Sequence, residues 1–76
     1  MTQIRALLPD DVWLYQLFSS RSACDGGIVR RSARDVERIV GRDAFARELR
    51  RRGYHAVENA GQFVVFCNNE PVQLWC

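Results

Sequence analysis

The sequence predicts one small α+β domain over residues 1–76, three helices with a small antiparallel β-sheet in the order α-β-α-α-β-β-β. Three observations predict it. A chain of 76 residues is too short to build a second hydrophobic core. Its 47% apolar and 26% charged residues have the balance of a globular domain, not of a disordered tail or a disulfide scaffold. Apolar residues recur at helical spacing in three bounded stretches, and two strand-like runs surround Asn59, Ala60 and Gly61.

The elements follow in order. Residues 9–21, PDDVWLYQLFSSR, read as a first helix, with Pro9, Asp10 and Asp11 where a helix start favours them. Leu14, Leu17 and Phe18 form its inward stripe, widened by Trp13. Asp25, Gly26 and Gly27 break the pattern, and Ile28 to Arg31 is too short and too β-branched for anything but a brief strand. Ser32 followed by Asp35 is an N-cap with an acidic partner three residues on, so a second helix, SARDVERIVG, starts there and turns Val36, Ile39 and Val40 inward until Gly41 stops it. The third helix, RDAFARELRRRG, carries Phe45 and Leu49 as an i, i+4 core pair and ends at Gly53.

Tyr54 to Glu58 and Gln62 to Cys67 form a hairpin whose second run, QFVVFC, is apolar enough to be the central strand. Asn68, Asn69, Glu70 and Pro71 make a further turn before VQLWC, a last strand that Pro71 restricts to an edge or to its own first position. The predicted core is Trp13, Leu14, Leu17, Phe18, Val36, Ile39, Phe45, Leu49 and Val65.

Charge is distributed unevenly. The eleven basic residues are all Arg, against nine acids, for a net charge of +2. Residues 30–52 hold nine Arg and four acids, a local +5, and the remainder of the chain is net acidic. Guanidinium groups, with their planar fork of donors, suit phosphates and guanine edges.

The order helix, short strand, helix, tight turn, helix, hairpin resembles the winged helix-turn-helix over residues 10–68. That architecture implies a recognition helix laid in the major groove of duplex DNA and a hairpin wing beside it. With Phe45 and Leu49 inward, Arg47, Arg50 and Arg51 turn outward and Arg42 stands at the helix start. The expected nucleic-acid contacts are Arg42, Arg47, Arg50 and Arg51, extended by Arg30 on the short strand and by Asn59 and Gln62 at the hairpin turn. The expected function is that of a small bacterial or phage-type transcriptional regulator, dimeric to match two half-sites.

The same residues bear on other function classes. Cys24, Cys67 and Cys76 are odd in number, with no close pair and no neighbouring His, which argues against a zinc ribbon or a complete disulfide framework and suits a reducing cytoplasm. No apolar run approaches a signal peptide or a membrane span. His55 with Cys67 is the one drawable base and nucleophile, without an orienting third group, so no catalytic residue, metal or small-molecule cofactor is expected. Residues 48–66, ELRRRGYHAVENAGQFVVF, resemble the helix-hairpin of HicA-type mRNA-interferase toxins. In that family a Ser-His or Thr-His pair follows the hairpin glycine, whereas here Gly61 is followed by Gln62 and Phe63, so the resemblance implies RNA binding without catalysis. The alternative class is a protein-protein interaction or dimerisation module that binds no nucleic acid, in which VQLWC with Trp75 offers an apolar edge to a second subunit.

Overall fold

A computed structural model describes residues 9–76. The chain is α+β, with four helices and a three-stranded antiparallel sheet among the described residues: α1 (Pro9–Phe18), α2 (Arg21–Cys24), β1 (Ile28–Ser32), α3 (Ala33–Ile39), α4 (Arg42–Arg52), β2 (His55–Asn59) and β3 (Gln62–Phe66).

The first predicted helix, 9–21, stops at Phe18, and a short helix that the sequence pattern does not predict follows it. Ser20 takes an extended conformation and its hydroxyl accepts from the Ala23 amide at 3.3 Å, so a new one-turn helix, α2, starts where the sequence suggests continuation. Ser32 caps α3 as its sequence predicts, its hydroxyl accepting from the Asp35 amide at 3.4 Å. Only Val40 and Gly41 separate α3 from α4. Gly41 holds φ 92°, a conformation closed to most side chains, while its carbonyl accepts from the Phe45 amide to start the next helix. At the other end of α4 the Gly53 and Tyr54 amides donate back to Arg50 and Leu49, a Schellman closure that launches the chain into β2.

The sheet order is β1-β3-β2, so β3 is central, as the apolar run QFVVFC predicts. Phe63 pairs with Arg31 and Glu58, Val64 with Arg30 and Val57, Val65 with Val29 and Ala56, and Phe66 with Ile28 and His55. Alternation then assigns two faces. Val29, Phe63, Val65 and Ala56 face the helices, whereas Ile28, Arg30, Val57, Val64, Phe66 and His55 share the outer face.

The expected last strand, VQLWC, does not form; residues 71–76 pair with nothing among the described residues. The topology explains this. Both edges of β3 are already taken, so a following segment has no hairpin partner. Asn68 then turns the chain outward, its amide donating to the Gly26 carbonyl and its side-chain oxygen accepting from the Glu70 amide.

Leu17, Phe18, Val36, Phe45, Leu49 and Val65 are buried as predicted, joined by Ala23, Val29 and Cys67. Trp13 and Leu14 are half-buried against this cluster. Ile39 corrects the expectation: the inward line of the short α3 runs through Ala33, Val36 and Val40, which leaves Ile39 on its flank and half-buried. Aromatic rings knit the layers together, with Trp13 and Phe63 on either side of Phe45 at centroid distances of 6.3 and 5.4 Å.

The hairpin turn consists of Ala60 and Gly61, both at positive φ (51° and 77°), the signature of a type I′ turn. Ala60 is poorly suited to this position, because a Cβ in the left-handed region crowds its own carbonyl at a cost of roughly 1–2 kcal/mol. Asn tolerates the conformation. Ala60→Asn is therefore expected to stabilise the domain by about 1 kcal/mol, read as a higher urea midpoint at unchanged slope.

Candidate nucleic-acid interface

Helix α4 presents one inward line, Phe45 and Leu49, and so sets every other side chain on it. Arg47, Arg50 and Arg51 are exposed, as the spacing predicts. Their electrostatic states differ. Arg51 donates to Glu48 at 3.2 and 2.6 Å, and Arg52 reaches the same carboxylate at 2.5 Å while lying 4.5 Å over the Phe18 ring. Arg47 and Arg50 have no carboxylate partner among the described residues.

Arg42 serves a different purpose from the one its sequence position suggests. Two of its nitrogens donate to Glu58 at 2.8 and 2.7 Å, a third donates to Glu37 at 2.7 Å, and the guanidinium carbon lies 5.2 Å from the Phe63 ring centroid. Glu58, then Glu37, holds this guanidinium above its ordinary range, and Arg42 in return holds the Glu58 carboxyl below the ordinary 4.5. Arg42 thus ties α3 and the start of α4 to β2. It is a brace with most of its donor capacity spent.

Glu48 is the second brace. Arg51 first, and Arg52 after it, hold its carboxyl below 4.5 against the opposing effect of burial. A carboxyl depressed in the folded state contributes stability that is complete above its unfolded value and is lost as pH falls through the lower folded value. The melting temperature is expected to fall as pH drops below about 4.5, and Glu48→Gln should flatten part of that dependence in a pH series of thermal melts.

Two grooves flank α4. One, of about 460 Å³, runs between α4 and β2 and is lined by Asp43, Ala46, Arg50, Tyr54 and His55 among others. The second, broader at about 800 Å³, lies between α1 and α4 and is lined by Asp10, Asp11, Arg47, Arg50 and Arg51. Arg50 borders both. Asp10, Asp11 and Asp43 have no basic partner among the described residues and lower the positive potential of the same surface.

The remaining predicted contacts lie elsewhere. Arg30 is on the outer sheet face of β1, two strands away from the β2 edge that borders α4. Asn59 and Gln62 pair with each other at the hairpin end and are exposed. The hairpin end also gathers arginines that the turn sequence does not contain. The Ala33 amide donates to the Gly61 carbonyl at 2.8 Å, which sets Arg31 and Arg34, both exposed, on either side of the anchoring residue. Neither has a carboxylate partner among the described residues, since Asp35 is engaged by Arg38 and Glu37 and Glu58 by Arg42. The Ser32 cap was the available signal: it fixes where α3 starts, but only the sheet register places that start beside the turn.

His55 and Cys67 do not meet. His55 sits on the outer face opposite Phe66 and is exposed, whereas Cys67 is buried, where desolvation pushes its thiol up and Arg52 only partly offsets the rise. No group of three or more His, Cys, Asp or Glu among the described residues is placed to hold a metal ion, and no described helix is long and apolar enough to cross a membrane.

Comparison with protein-family models, with curated proteins and with solved structures finds no significant match to this chain.

Proposed function

We propose that the chain is a winged-helix domain that binds duplex DNA, with α4 as the recognition helix and the β2–β3 hairpin as a short wing. The observation that carries this reading is a pair of exposed guanidiniums on α4, Arg47 and Arg50, without a carboxylate partner among the described residues, on a helix that directly follows another across a two-residue turn. The sheet order β1-β3-β2 and the hairpin after α4 suit the architecture. Arg31 and Arg34, with Asn59 and Gln62, supply the wing with phosphate donors that its own turn lacks. On this reading the domain acts without catalysis in a transcriptional regulator of the cytoplasm.

An interaction module without nucleic-acid binding is the second reading, favoured by Asp10, Asp11 and Asp43 along the grooves beside α4, which have no basic partner among the described residues. One titration separates the two. Fluorescence anisotropy with labelled duplex DNA and with duplex RNA, at low and at moderate salt, is expected to show DNA binding that weakens steeply with salt. Flat curves for DNA at low salt would overturn the DNA-binding reading, and tighter binding to RNA would replace it with an RNA-binding one.

A further inference from the structure

The outer face of the sheet is largely apolar, and no other described element packs on it. Ile28 and Val57 are 43% and 41% exposed, and Val64 and Phe66 lie between them on the central strand. The face is graded along the strands. The row Ile28, Phe66, His55 and the row Arg30, Val64, Val57 are largely apolar, whereas the row at the hairpin end, Ser32, Gln62, Asn59, is polar.

The chain leaves β3 at the apolar end of this face and carries a second uncovered apolar group. Val72 is 44% exposed, and Leu74 and Trp75 are 92% and 93% exposed. An almost wholly exposed Leu-Trp pair in a chain that also exposes an apolar sheet face is a combination that soluble monomers seldom retain. The Asn68 side chain bonds both Gly26 and Glu70 where the chain leaves β3, and the exposure of Leu74 and Trp75 shows that the segment does not lie across its own sheet.

We infer that the outer sheet face is a homodimer interface, in which residues 72–75 of one copy lie across Ile28, Val57, Val64 and Phe66 of a second copy, reciprocally about a twofold axis. Area supports a second copy as the occupant. Burying Trp75 with its two apolar neighbours removes on the order of 400 Å² from one chain and about as much from the receiving face, given 150–250 Å² for a Trp. Twofold symmetry doubles every contact, for a total near 1,600 Å², the size of a standard stable interface. The same segment folded back on its own sheet would bury as much per chain, but Leu74 and Trp75 stand almost wholly in solvent and off that sheet.

The proposed interface leaves α4 free, since α4 lies on the opposite face of the sheet, and it uses the apolar rows of the outer face rather than the polar hairpin row of Asn59 and Gln62. Its test is analytical ultracentrifugation of the full chain under reducing conditions, which removes any disulfide dimer through the exposed Cys24 or Cys76. Two variants accompany the parent, Trp75→Ser in the segment and Val57→Lys on the receiving face. Both positions are solvent-exposed in the single chain, so both variants should keep the parent's circular dichroism and melting curve at low concentration. The expected result is a parent dimer weakened roughly 30-fold or more by either change, the effect of losing a central aromatic anchor or of setting a charge opposite it.

Trp75 should also become shielded from acrylamide as the dimer forms, with Trp13→Phe used to isolate its signal. A parent that stays monomeric up to high concentration overturns the inference, whether Trp75 is then open or folded back and shielded. A dimer that survives Val57→Lys, even if Trp75→Ser breaks it, places the interface elsewhere and overturns it as well.

Discussion

Phe45→Ala is expected to abolish most of the stability of this domain, at a cost of about 4 kcal/mol. Phe45 is 2% exposed and is one of four large side chains that are sealed from solvent, with Leu17, Val36 and Val65. Its ring meets Trp13 from α1 and Phe63 from β3, so truncation opens a cavity where three elements converge. The neighbours cannot close it cheaply. Trp13 is held by its helix, and Phe63 is fixed by sheet register between Arg31 and Glu58. A chain of this size has a total stability on the order of 4–10 kcal/mol, so the loss consumes a large share of it. Urea unfolding followed by circular dichroism should show a collapse of the midpoint at nearly constant slope, while Phe45→Leu, which refills most of the volume, recovers more than half of the loss. A midpoint shifted by less than about 1 kcal/mol in the Ala variant would show that these three elements do not share one core.

The parts of this fold that were legible in the sequence are those with local causes. Ser32 and Asp35 mark the start of α3 by themselves, Gly41 and Gly53 mark the ends of helices, and the most apolar of the strand runs is the central strand β3. What was not legible depends on partners far away in the chain. Ser20 is as good a residue for ending a helix as for capping a new one, and the pattern of apolar residues does not choose. VQLWC has strand composition, but its failure to pair follows from β1 having taken the second edge of β3, a fact of topology.

The same distinction governs the surface. Helical spacing places Arg47, Arg50 and Arg51 outside, and they are there. It cannot show that Arg42 is occupied by Glu58, sixteen residues on, or that Glu48 engages Arg51 as well as the i+4 residue Arg52. Nine arginines in one segment therefore overstate its available charge. Among the described residues only Arg30, Arg31, Arg34, Arg47 and Arg50 lack a carboxylate partner, and of these only Arg47 and Arg50 belong to α4.

That inventory makes the proposed DNA contact quantitative. Each guanidinium that neutralises a phosphate releases condensed counterions and steepens the dependence of log K on log salt by about 0.9. Replacing Arg47 and Arg50 together by Ala should reduce the slope by about 1.8, and at 0.1 M salt the same relation gives a loss of roughly 60-fold in affinity. Arg42 provides the internal contrast. Because its donors are spent on Glu37 and Glu58, Arg42→Gln should lower the melting temperature by uncoupling α4 from β2 yet leave the salt slope where it was. Arg51→Ala falls between, since the residue must leave Glu48 before it can reach a phosphate. Anisotropy titrations of duplex DNA at four or five salt concentrations, with melting curves on the same samples, give both readouts. Equal slopes for the parent and the Arg47/Arg50 double variant would remove α4 from the contact surface, and a slope change in Arg42→Gln as large as in the double variant would show that the ion pairs open on binding.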